Sequence, residues 1–485
     1  MLSLWNRSEP EIVTEPQGPE ARRILSEAGL PEYYLQPVAR RAGGVFIEDV
    51  DGNAFLDFIS GRCTVNVGHS HPRLLKVLHE QADRVTHGLI EERFKLEREL
   101  SKILPGPGNK KVLYAHSGSD ANDAAIKVAR WVTRRPYIIA FTGAYHGVTY
   151  GAMAVSSYRP EMVRGFGPHV PGVYTMPYPY CFRCPFGQHL DTCDLLCLGY
   201  VENYAFKSYL PPDEVAAVIV EPVAGDAGWH VPPSTWMNAL AELCTKHGIL
   251  LISEEVQTGF GRMGEWFGIE HFGVVPDMVV MGKAMAGGVA PMSGVSVRED
   301  LLNRRQERPA HGHTMGGHPV GVATALENIE IIRSGDLLNQ SRTMGGYLKD
   351  RLVDMWGEHP IIGDVRGVGL LIGVEIVNPD KPHSHNPDEP SPEMADEICR
   401  LCFKKGLWTI RMGAYGTSVL RIAPPLVTTK KQIDSALGIL EAAITETEDV
   451  NIVNPQKGVE RGSTEGGEEL EGHHSPGDRP EGGLA

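Results

Sequence analysis

The sequence predicts an α/β protein, with a large domain built on a mostly parallel sheet and a smaller α+β domain formed by both ends of the chain. The chain has 485 residues of ordinary globular composition, which is enough for two or more substructures. From about residue 60 to 325, short apolar runs alternate with helix-like segments. This alternation is typical of parallel strands that are covered on both faces.

We expect four regions along the chain. Residues 1–60 form an N-terminal arm and part of the small domain, residues 61–325 form the large domain, and residues 326–450 complete the small domain. The tail at 451–485 is acidic, rich in Gly and almost without apolar residues. Such a segment cannot offset the entropy lost on ordering, so we expect it to be disordered.

The elements follow from local patterns. The segment 45–53 predicts a hairpin, because its apolar residues partly alternate and Asp51-Gly52-Asn53 supplies a turn. Five apolar runs predict parallel strands at 111–115, 137–141, 216–220, 249–252 and 278–281. In the last third we expect helices at 319–334, 337–356 and 431–445, a strand at 369–376 and a surface loop at 378–392.

Composition excludes several functional classes. The net charge of −15 argues against binding to nucleic acid, which clustered Lys and Arg drive. No apolar run reaches the ~18 residues of a membrane span, and the first residues do not resemble a secretory signal. Eight cysteines are few for a disulfide-rich secreted chain. We therefore expect a soluble, cytoplasmic protein.

Reactive residues follow the predicted strands. The segment 117–122, Tyr145, Glu221, Glu254 and Lys283 each lie at or just after the end of an apolar run. In parallel sheets the carboxyl ends of the strands share one edge, where ligands bind. The topology alone therefore predicts that a phosphate-type loop, an aromatic ring, two acids and a lysine converge.

Each of these residues has a functional and a structural interpretation. Gly118 and Ser119 at a helix start suit an anion, but Ser and Asp there are also ordinary helix caps. A partly desolvated Lys283 suits a Schiff base, but a lysine can also extend to the surface. A buried Glu254 needs a cation, either a protonated pyridine nitrogen or an arginine.

Four cysteines form a separate cluster in a loop-like insert. Cys181, Cys184, Cys193 and Cys197 have the spacing C-x2-C-x8-C-x3-C. Four thiolates can bind zinc or an iron–sulfur cluster, but this spacing is not that of a known finger. We expect free thiols and assign no metal site, with a metal bound by the four cysteines as the alternative.

From about residue 14 to 447 the sequence resembles the class III aminotransferases, which use pyridoxal 5'-phosphate on the type I aminotransferase fold. The resemblance rests on the motifs Asn66-Val67-Gly68-His69, Ser117-Gly118-Ser119-Asp120-Ala121-Asn122, Tyr145-His146-Gly147, Glu254-Glu255-Val256-Gln257-Thr258-Gly259, Gly282-Lys283 and Thr314-Met315-Gly316-Gly317-His318-Pro319.

The resemblance implies catalytic and cofactor-binding roles. Lys283 would form the Schiff base and move the proton, and Glu254 would pair with the pyridine nitrogen. Gln257 would donate a hydrogen bond to the 3'-oxygen of the cofactor. Gly118 and Ser119 would hold its phosphate.

Further residues would complete the cofactor site. Tyr145 would stack on the ring, and His146 belongs to the same cofactor-binding motif. Thr314 would reach the phosphate from the neighbouring subunit, which implies a homodimer with shared active sites.

The resemblance also implies a substrate site. Arg421 would bind a substrate carboxylate, with Glu221 and Asp226 close to the substrate. The expected reaction is transfer of an amino group to a 2-oxo acid from an amino acid, such as the ω-amino acid 4-aminobutyrate. The alternative is an amino-acid racemase or epimerase, in which Lys283 and Asp226 act as opposed bases.

Two residues depart from the family pattern. The family normally has Asp at the pyridine-binding position, where this chain has the longer Glu254. Many 4-aminobutyrate-type transaminases have Glu where this chain has Asp226, and that Glu pairs with the arginine at the position of Arg421. Related racemases carry Asp in this motif, so Asp226 separates the two reactions.

Overall fold

The computed structural model describes residues 2–31, 35–305, 307, 311–380 and 389–451. The strands are, in chain order, β1 (Ala39–Gly43), β2 (Phe46–Asp49), β3 (Ala54–Asp57), β4 (Lys110–Ala115), β5 (Tyr137–Phe141), β6 (Val173–Met176), β7 (Val215–Val220), β8 (Leu250–Glu254), β9 (Met278–Met281), β10 (Ser293–Arg298), β11 (Ile362–Val368), β12 (Leu371–Asn378), β13 (Glu389–Pro390), β14 (Leu407–Trp408), β15 (Arg411–Met412) and β16 (Val419–Ile422).

The longer helices are Pro19–Glu27, Pro72–Arg84, Glu91–Ile103, Gly118–Thr133, Ser234–His247, Pro319–Ser334, Leu337–Glu358, Pro392–Lys404 and Lys430–Asn451. Short helical turns include Leu2–Trp5, Ser60–Cys63, Tyr150–Ala154, Leu196–Tyr200, Gly225–Gly228 and Glu299–Leu302. In the part of the chain that the structure describes, no helix combines the length and the apolar character needed to cross a bilayer.

The central sheet has seven strands in the order β4-β10-β9-β8-β7-β5-β6. Strands β5 to β9 pair in parallel, and β10 runs antiparallel between β4 and β9. All five predicted strands are present and point the same way, so the predicted sheet is confirmed. Strands β6 and β10 were not predicted, because they lack a continuous apolar run.

Helix Gly118–Thr133 covers one face of this sheet. Its buried positions include Ala121, Ala124, Ala125 and Ala129, which belong to one apolar cluster with strand residues of the sheet. Small side chains bring the helix axis close to the strands, and close packing of this kind holds the helix start firmly at the sheet edge.

Both ends of the chain contribute to the smaller sheets. Strand β14 joins the N-terminal strands in a sheet of order β1-β2-β3-β14, and β11-β12-β16-β15 form another sheet that β13 extends. The predicted hairpin is confirmed, since β2 and β3 pair antiparallel. The four region boundaries stay a prediction.

Some elements differ from the expectation. The N-terminal arm contains helix Pro19–Glu27, whose first amides at Glu20 and Ala21 donate to the remote carboxylate of Asp51. A local sequence pattern cannot reveal that a residue about 30 positions away caps the start of this helix. The strand expected at 369–376 is β12, and its partner β11 was missed.

The surface loop expected at 378–392 is described only in part. Its end, Glu389–Pro390, forms β13 against β12, whereas residues 381–388 lie outside the described residues. The last helix extends to Asn451. Residues 452–485 of the expected disordered tail also lie outside the described residues.

Candidate active site

The carboxyl edge of the central sheet brings the predicted residues together. Glu254 is the last residue of β8, Glu221 directly follows β7, and Lys283 follows β9 after one glycine. The loop after β5 brings Tyr145 beside Glu221, since the Tyr145 amide donates to Glu221 Oε1 over 3.0 Å. The convergence predicted from topology is therefore present.

Lys283 occupies a strained position at this edge. Its φ of 35° lies in the left-handed region that non-glycine residues rarely adopt, which is common at functional sites. It lines a cavity of about 390 Å³ together with His116, Gly118 and Met292. Within the described residues its ammonium group makes no ion pair or hydrogen bond, so the amine is available to a ligand.

The start of helix Gly118–Thr133 faces the same cavity. The hydroxyl of Ser117 accepts a hydrogen bond from the Asp120 amide over 3.3 Å, so Ser117 caps the helix. A Cβ atom at Gly118 would lie 3.2 Å from Val256, so the glycine permits close packing. The hydroxyl of Ser119 accepts from the Val148 amide over 3.1 Å, and the first amides of a helix have no partner within it.

Glu254, His146 and Glu221 form a buried group at the carboxyl edge of the central sheet. Nδ1 of His146 lies 3.8 Å from Glu254 Oε2 and 4.0 Å from Glu221 Oε1. All three side chains are at least nine-tenths buried. Within the described residues, neither ring nitrogen of His146 has a hydrogen-bond partner. Glu254 Oε1 accepts from the Val256 amide, which leaves Oε2 as the atom available to a cation.

Asp226 lies in the helical turn Gly225–Gly228 and contacts Arg421 of β16. Its Oδ1 lies 2.5 Å from Nη2 of Arg421 and accepts a second hydrogen bond, over 3.0 Å, from Gln257 Nε2. The shorter acid therefore does reach the arginine. Burial raises the pKa of Asp226, but the charges of Arg421 and Lys283 outweigh this effect and hold the pKa below its usual range.

Two other predicted residues lie at the edges of the site. Tyr145 is half-buried and contacts Tyr158 edge to face, with ring centroids 6.4 Å apart. Thr314 is exposed in a turn of its own chain, and its predicted contact with a neighbouring subunit stays a prediction.

The cysteine cluster lies in the insert between β6 and β7. All four thiols are free. Burial, and then the neighbouring thiols, raise the pKa of Cys181 to about 11 and that of Cys197 to about 12. Among the described residues, two groups bring three potential metal-ligating atoms within 4.8 Å of one another. One consists of His146, Glu221 and Glu254, and the other of Glu358, His359 and Glu441. The four cysteines do not form such a group.

Sequence reasoning missed one residue of this site, Trp229. The indole of Trp229 donates to Gln257 Oε1 over 3.3 Å and stacks under the guanidinium of Arg421 at 5.1 Å. Arg62 lies close enough to Tyr145 for its charge to oppose the rise in pKa that burial and Asp226 cause there. Trp229 directly follows the Gly225–Gly228 turn that contains Asp226. This position in the sequence was the one indication that Trp229 lies close to the substrate site.

Comparison with known proteins identifies the family. The model of the family "Aminotransferase class-III" matches residues 31–444. The chain belongs to the class III aminotransferases. It is 41% identical to the alanine/serine racemase of Pyrococcus horikoshii, over 90% of this chain and 93% of the relative. It is 34% identical to a probable 4-aminobutyrate aminotransferase of Bacillus subtilis, over 84% of this chain and 92% of the relative.

A solved structure supports the same family. An aminotransferase of Bacillus anthracis superposes with a TM-score of 0.80 at 29% identity, covering 88% of this chain and 99% of that one. The predicted type I fold is therefore confirmed, and the class III enzymes to which this chain belongs depend on pyridoxal 5'-phosphate.

The residues of this chain fit that cofactor. The cavity lies between the amine of Lys283 and the helix start at Gly118, which suit an aldehyde and a phosphate respectively. Glu254, whose Oε2 accepts no hydrogen bond within the described residues, supplies the buried negative charge that a protonated pyridine nitrogen requires.

Proposed function

We propose that this class III enzyme interconverts the enantiomers, or 2-epimers, of an α-amino acid, with Lys283 and Asp226 as the two groups that transfer the proton. The observation that carries the proposal is an aspartate at position 226 whose Oδ1 is held by Arg421 and Gln257, while its Oδ2 makes no hydrogen bond within the described residues. The charge of Lys283 also acts on this carboxylate. A transaminase of this fold needs one proton-transferring group, whereas a racemase needs one for each face of the substrate carbon.

Pyridoxal 5'-phosphate, when bound, acts as an electron sink that acidifies the Cα–H bond of an attached amino acid. The chain must then supply bases at Cα. Lys283 Nζ, at the end of β9, removes or returns the proton on one face. Asp226 Oδ2 does so on the other, because Oδ1 is already engaged by Arg421 and Gln257.

The protonation state of Asp226 suits a base. Its pKa is lowered by Arg421 and Lys283 against the effect of burial, so the carboxylate is ionised at neutral pH. Gln257 fixes its position, and Trp229 fixes Gln257 in turn. A carboxylate whose Oδ1 accepts from two donors is well placed to accept a proton at Oδ2 without first reorganising.

Arg421 also serves the substrate. Its Nη2 binds Asp226, and Nη2 and Nε contact the sulfur of Met412. Within the described residues Nη1 makes no hydrogen bond. Nη1 therefore remains to donate a hydrogen bond to the α-carboxylate of the amino acid.

The relatives support this choice of reaction. The identity of 41% to the alanine/serine racemase exceeds the 34% to the probable 4-aminobutyrate aminotransferase. We therefore propose small neutral α-amino acids, such as alanine and serine, as the first substrates to test.

Transamination, which the resemblance put first, is the second candidate. The pairing of Asp226 with Arg421 is the kind of contact by which 4-aminobutyrate-type transaminases mask and release the arginine. The donor would then be an ω-amino acid and the acceptor a 2-oxo acid. In either case we propose a homodimer, in which Thr314 of each chain completes the phosphate site of the other.

Two incubations distinguish the reactions. The holoenzyme is incubated with single L-alanine, L-serine or L-leucine without a 2-oxo acid, and the products are separated by chiral chromatography. A parallel incubation contains 4-aminobutyrate and 2-oxoglutarate, with glutamate as the readout. Accumulation of the D-isomer supports racemisation. Glutamate formation without any D-isomer contradicts it and supports transamination.

A further inference from the structure

The buried group formed by Glu221, His146 and Glu254 has an unusual charge balance. Two carboxylates and one imidazole lie at the ends of neighbouring strands, with their ligand atoms within 4.8 Å of one another. Glu221 is 6% exposed, His146 2% and Glu254 4%. With both carboxylates ionised and the imidazole neutral, a charge of −2 would be confined in this space. Buried charge of that size is costly unless it is neutralised.

Backbone amides fix Glu221 in this arrangement. Oε1 accepts from the Tyr145 amide over 3.0 Å, and Oε2 accepts from the Gly225 amide. Both contacts come from the main chain, so the carboxyl group cannot turn away from His146. Burial raises the pKa of Glu221 to about 7, with the charge of His146 opposing and that of Glu254 adding to the rise.

The other groups that face Glu221 do not titrate near neutral pH. Tyr178 reaches it from the segment after β6, donating its hydroxyl to the Glu221 carbonyl over 3.0 Å. Tyr415 reaches it from the loop before β16. Burial is the main cause that raises the pKa of Tyr178 well above its usual value and that of Tyr415 to about 12. Among the described residues, His146 and Glu254 are the other ionisable side chains whose charges act on Glu221.

The length of Glu254 brings the two carboxylates together. An aspartate, which the family normally has here, reaches less far by one C–C bond of ~1.5 Å. In this chain the longer side chain brings Oε2 of Glu254 to 3.8 Å from His146 Nδ1, the same ring atom that lies 4.0 Å from Glu221 Oε1. The closeness of the two carboxylates therefore depends on Glu254, the residue at which the cofactor site of this chain departs from the family pattern.

We propose that Glu221, His146 and Glu254 together bind one proton, so that the group carries a net charge of −1 opposite the ring nitrogen of the cofactor. Glu221 is a positioning residue in this arrangement, because it acts on the cofactor through His146 and Glu254. The proposal depends on the cofactor and is independent of whether the enzyme racemises or transaminates its substrate.

The first test measures the proton in the apoenzyme by infrared spectroscopy. A protonated carboxyl group gives a C=O stretching band that ionisation removes. We expect this band in the wild type at pH 6, its loss with a midpoint near pH 7, and a smaller amplitude in Glu221→Gln. Glu254→Asp should lower the midpoint of the Glu221 component, because the two carboxylates move apart and the charge of Glu254 raises the pKa of Glu221 less.

Glu255 offers a matched control. Burial also raises its pKa to about 7, but its carboxylate accepts from the amides of Gly268 and Ile269 and lies outside the group. Glu255→Gln should remove its own part of the band and leave the response to Glu254→Asp unchanged. If Glu221→Gln leaves the band at full amplitude, or Glu254→Asp leaves the midpoint in place, the proposal is wrong.

The second test measures binding of pyridoxamine 5'-phosphate to the apoenzyme by calorimetry. Loss of the bound proton makes the group more negative, so the wild type should gain affinity for the ring cation as the pH rises from 6 to 8. Glu221→Gln cannot lose that proton. The ratio of its dissociation constant to that of the wild type should rise from about 1 to about 10, a change of about 1.4 kcal/mol. A ratio that is constant with pH would overturn the proposal.

Discussion

Oδ1 of Asp226 lies 2.5 Å from Nη2 of Arg421, although an aspartate is shorter than the glutamate that many related transaminases have at this position. The contact joins the turn after β7 to strand β16, and so connects the central sheet to the C-terminal part of the chain. Gln257 donates to Asp226, and Trp229 donates to Gln257, so that two further hydrogen bonds extend the contact. The substrate end of the site is therefore one hydrogen-bonded unit.

Asp226→Asn tests the second base. The amide keeps the size of the side chain and can still accept from Arg421, but it cannot take up a proton. We expect racemisation to fall at least about 100-fold, the usual contribution of a positioned base. Exchange of the α-hydrogen for deuterium should persist for one enantiomer, through Lys283. Equal loss of exchange for both enantiomers would show that Asp226 has only a structural role.

Arg421→Gln tests the carboxylate anchor. The substitution removes the guanidinium that binds Asp226 and that we propose to bind the substrate carboxylate. KM for an α-amino acid should therefore rise about 10- to 100-fold, the effect expected when a hydrogen bond to a charged group is lost. The pKa of Asp226 should rise, since its largest opposing charge is gone.

Arg411→Gln is the matched control for that variant. Arg411 forms an ion pair with Asp396, whose side chain is 58% exposed, and such pairs contribute little. Steady-state kinetics with alanine and with an amine that lacks a carboxylate should separate the two variants. The anchor role is refuted if both substrates lose the same factor in Arg421→Gln.

The apoenzyme should lose stability as the pH rises from about 5 to 7. Burial raises the pKa values of Glu221 and Glu255 to about 7, above the ordinary value of 4.5, so between these limits the folded state binds more protons than the unfolded state. As the pH rises from 5 to 7, ionisation of each buried group therefore lowers the free energy of unfolding by roughly 1–3 kcal/mol.

Urea denaturation at fixed protein concentration measures this effect. Glu221→Gln and Glu255→Gln should each flatten the pH dependence, and the double variant should show the flattest profile. A wild type whose unfolding free energy increases from pH 5 to 7 would contradict the raised pKa values.

The cysteine cluster should contain thiols without bound metal. Among the described residues, no three of Cys181, Cys184, Cys193 and Cys197 bring their sulfur atoms within 4.8 Å of one another, whereas a tetrahedral metal site needs four thiolates around one ion. Elemental analysis of protein purified without air should find far less than one zinc or iron per chain. A stoichiometric metal that Cys184→Ser removes would establish the alternative.

Topology made much of the site predictable. Apolar runs located β4, β5, β7, β8 and β9, and the rule that parallel strands end at one edge placed Glu221, Glu254 and Lys283 together. The contacts between distant segments could not be predicted, because they depend on side-chain reach. The capping of helix Pro19–Glu27 by Asp51 and the pairing of Asp226 with Arg421 are of this kind.

The charge balance of the site was equally hidden from the sequence. Glu254 was identified as a departure from the family pattern, but its distance from His146 and Glu221 depends on how three strands and their loops are aligned. Trp229 was missed because its two partners, Gln257 and Arg421, come from segments far along the chain. Periodicity locates elements, whereas tertiary packing decides which atoms touch.

The central claim is that the amine of Lys283 binds the cofactor covalently. The most direct test is to treat the holoenzyme with borohydride, digest it, and locate the reduced pyridoxyl group by mass spectrometry. We predict one modified peptide, which contains Lys283, and no modification in Lys283→Ala. Labelling of a different lysine, or no labelling of the wild type, would contradict the account.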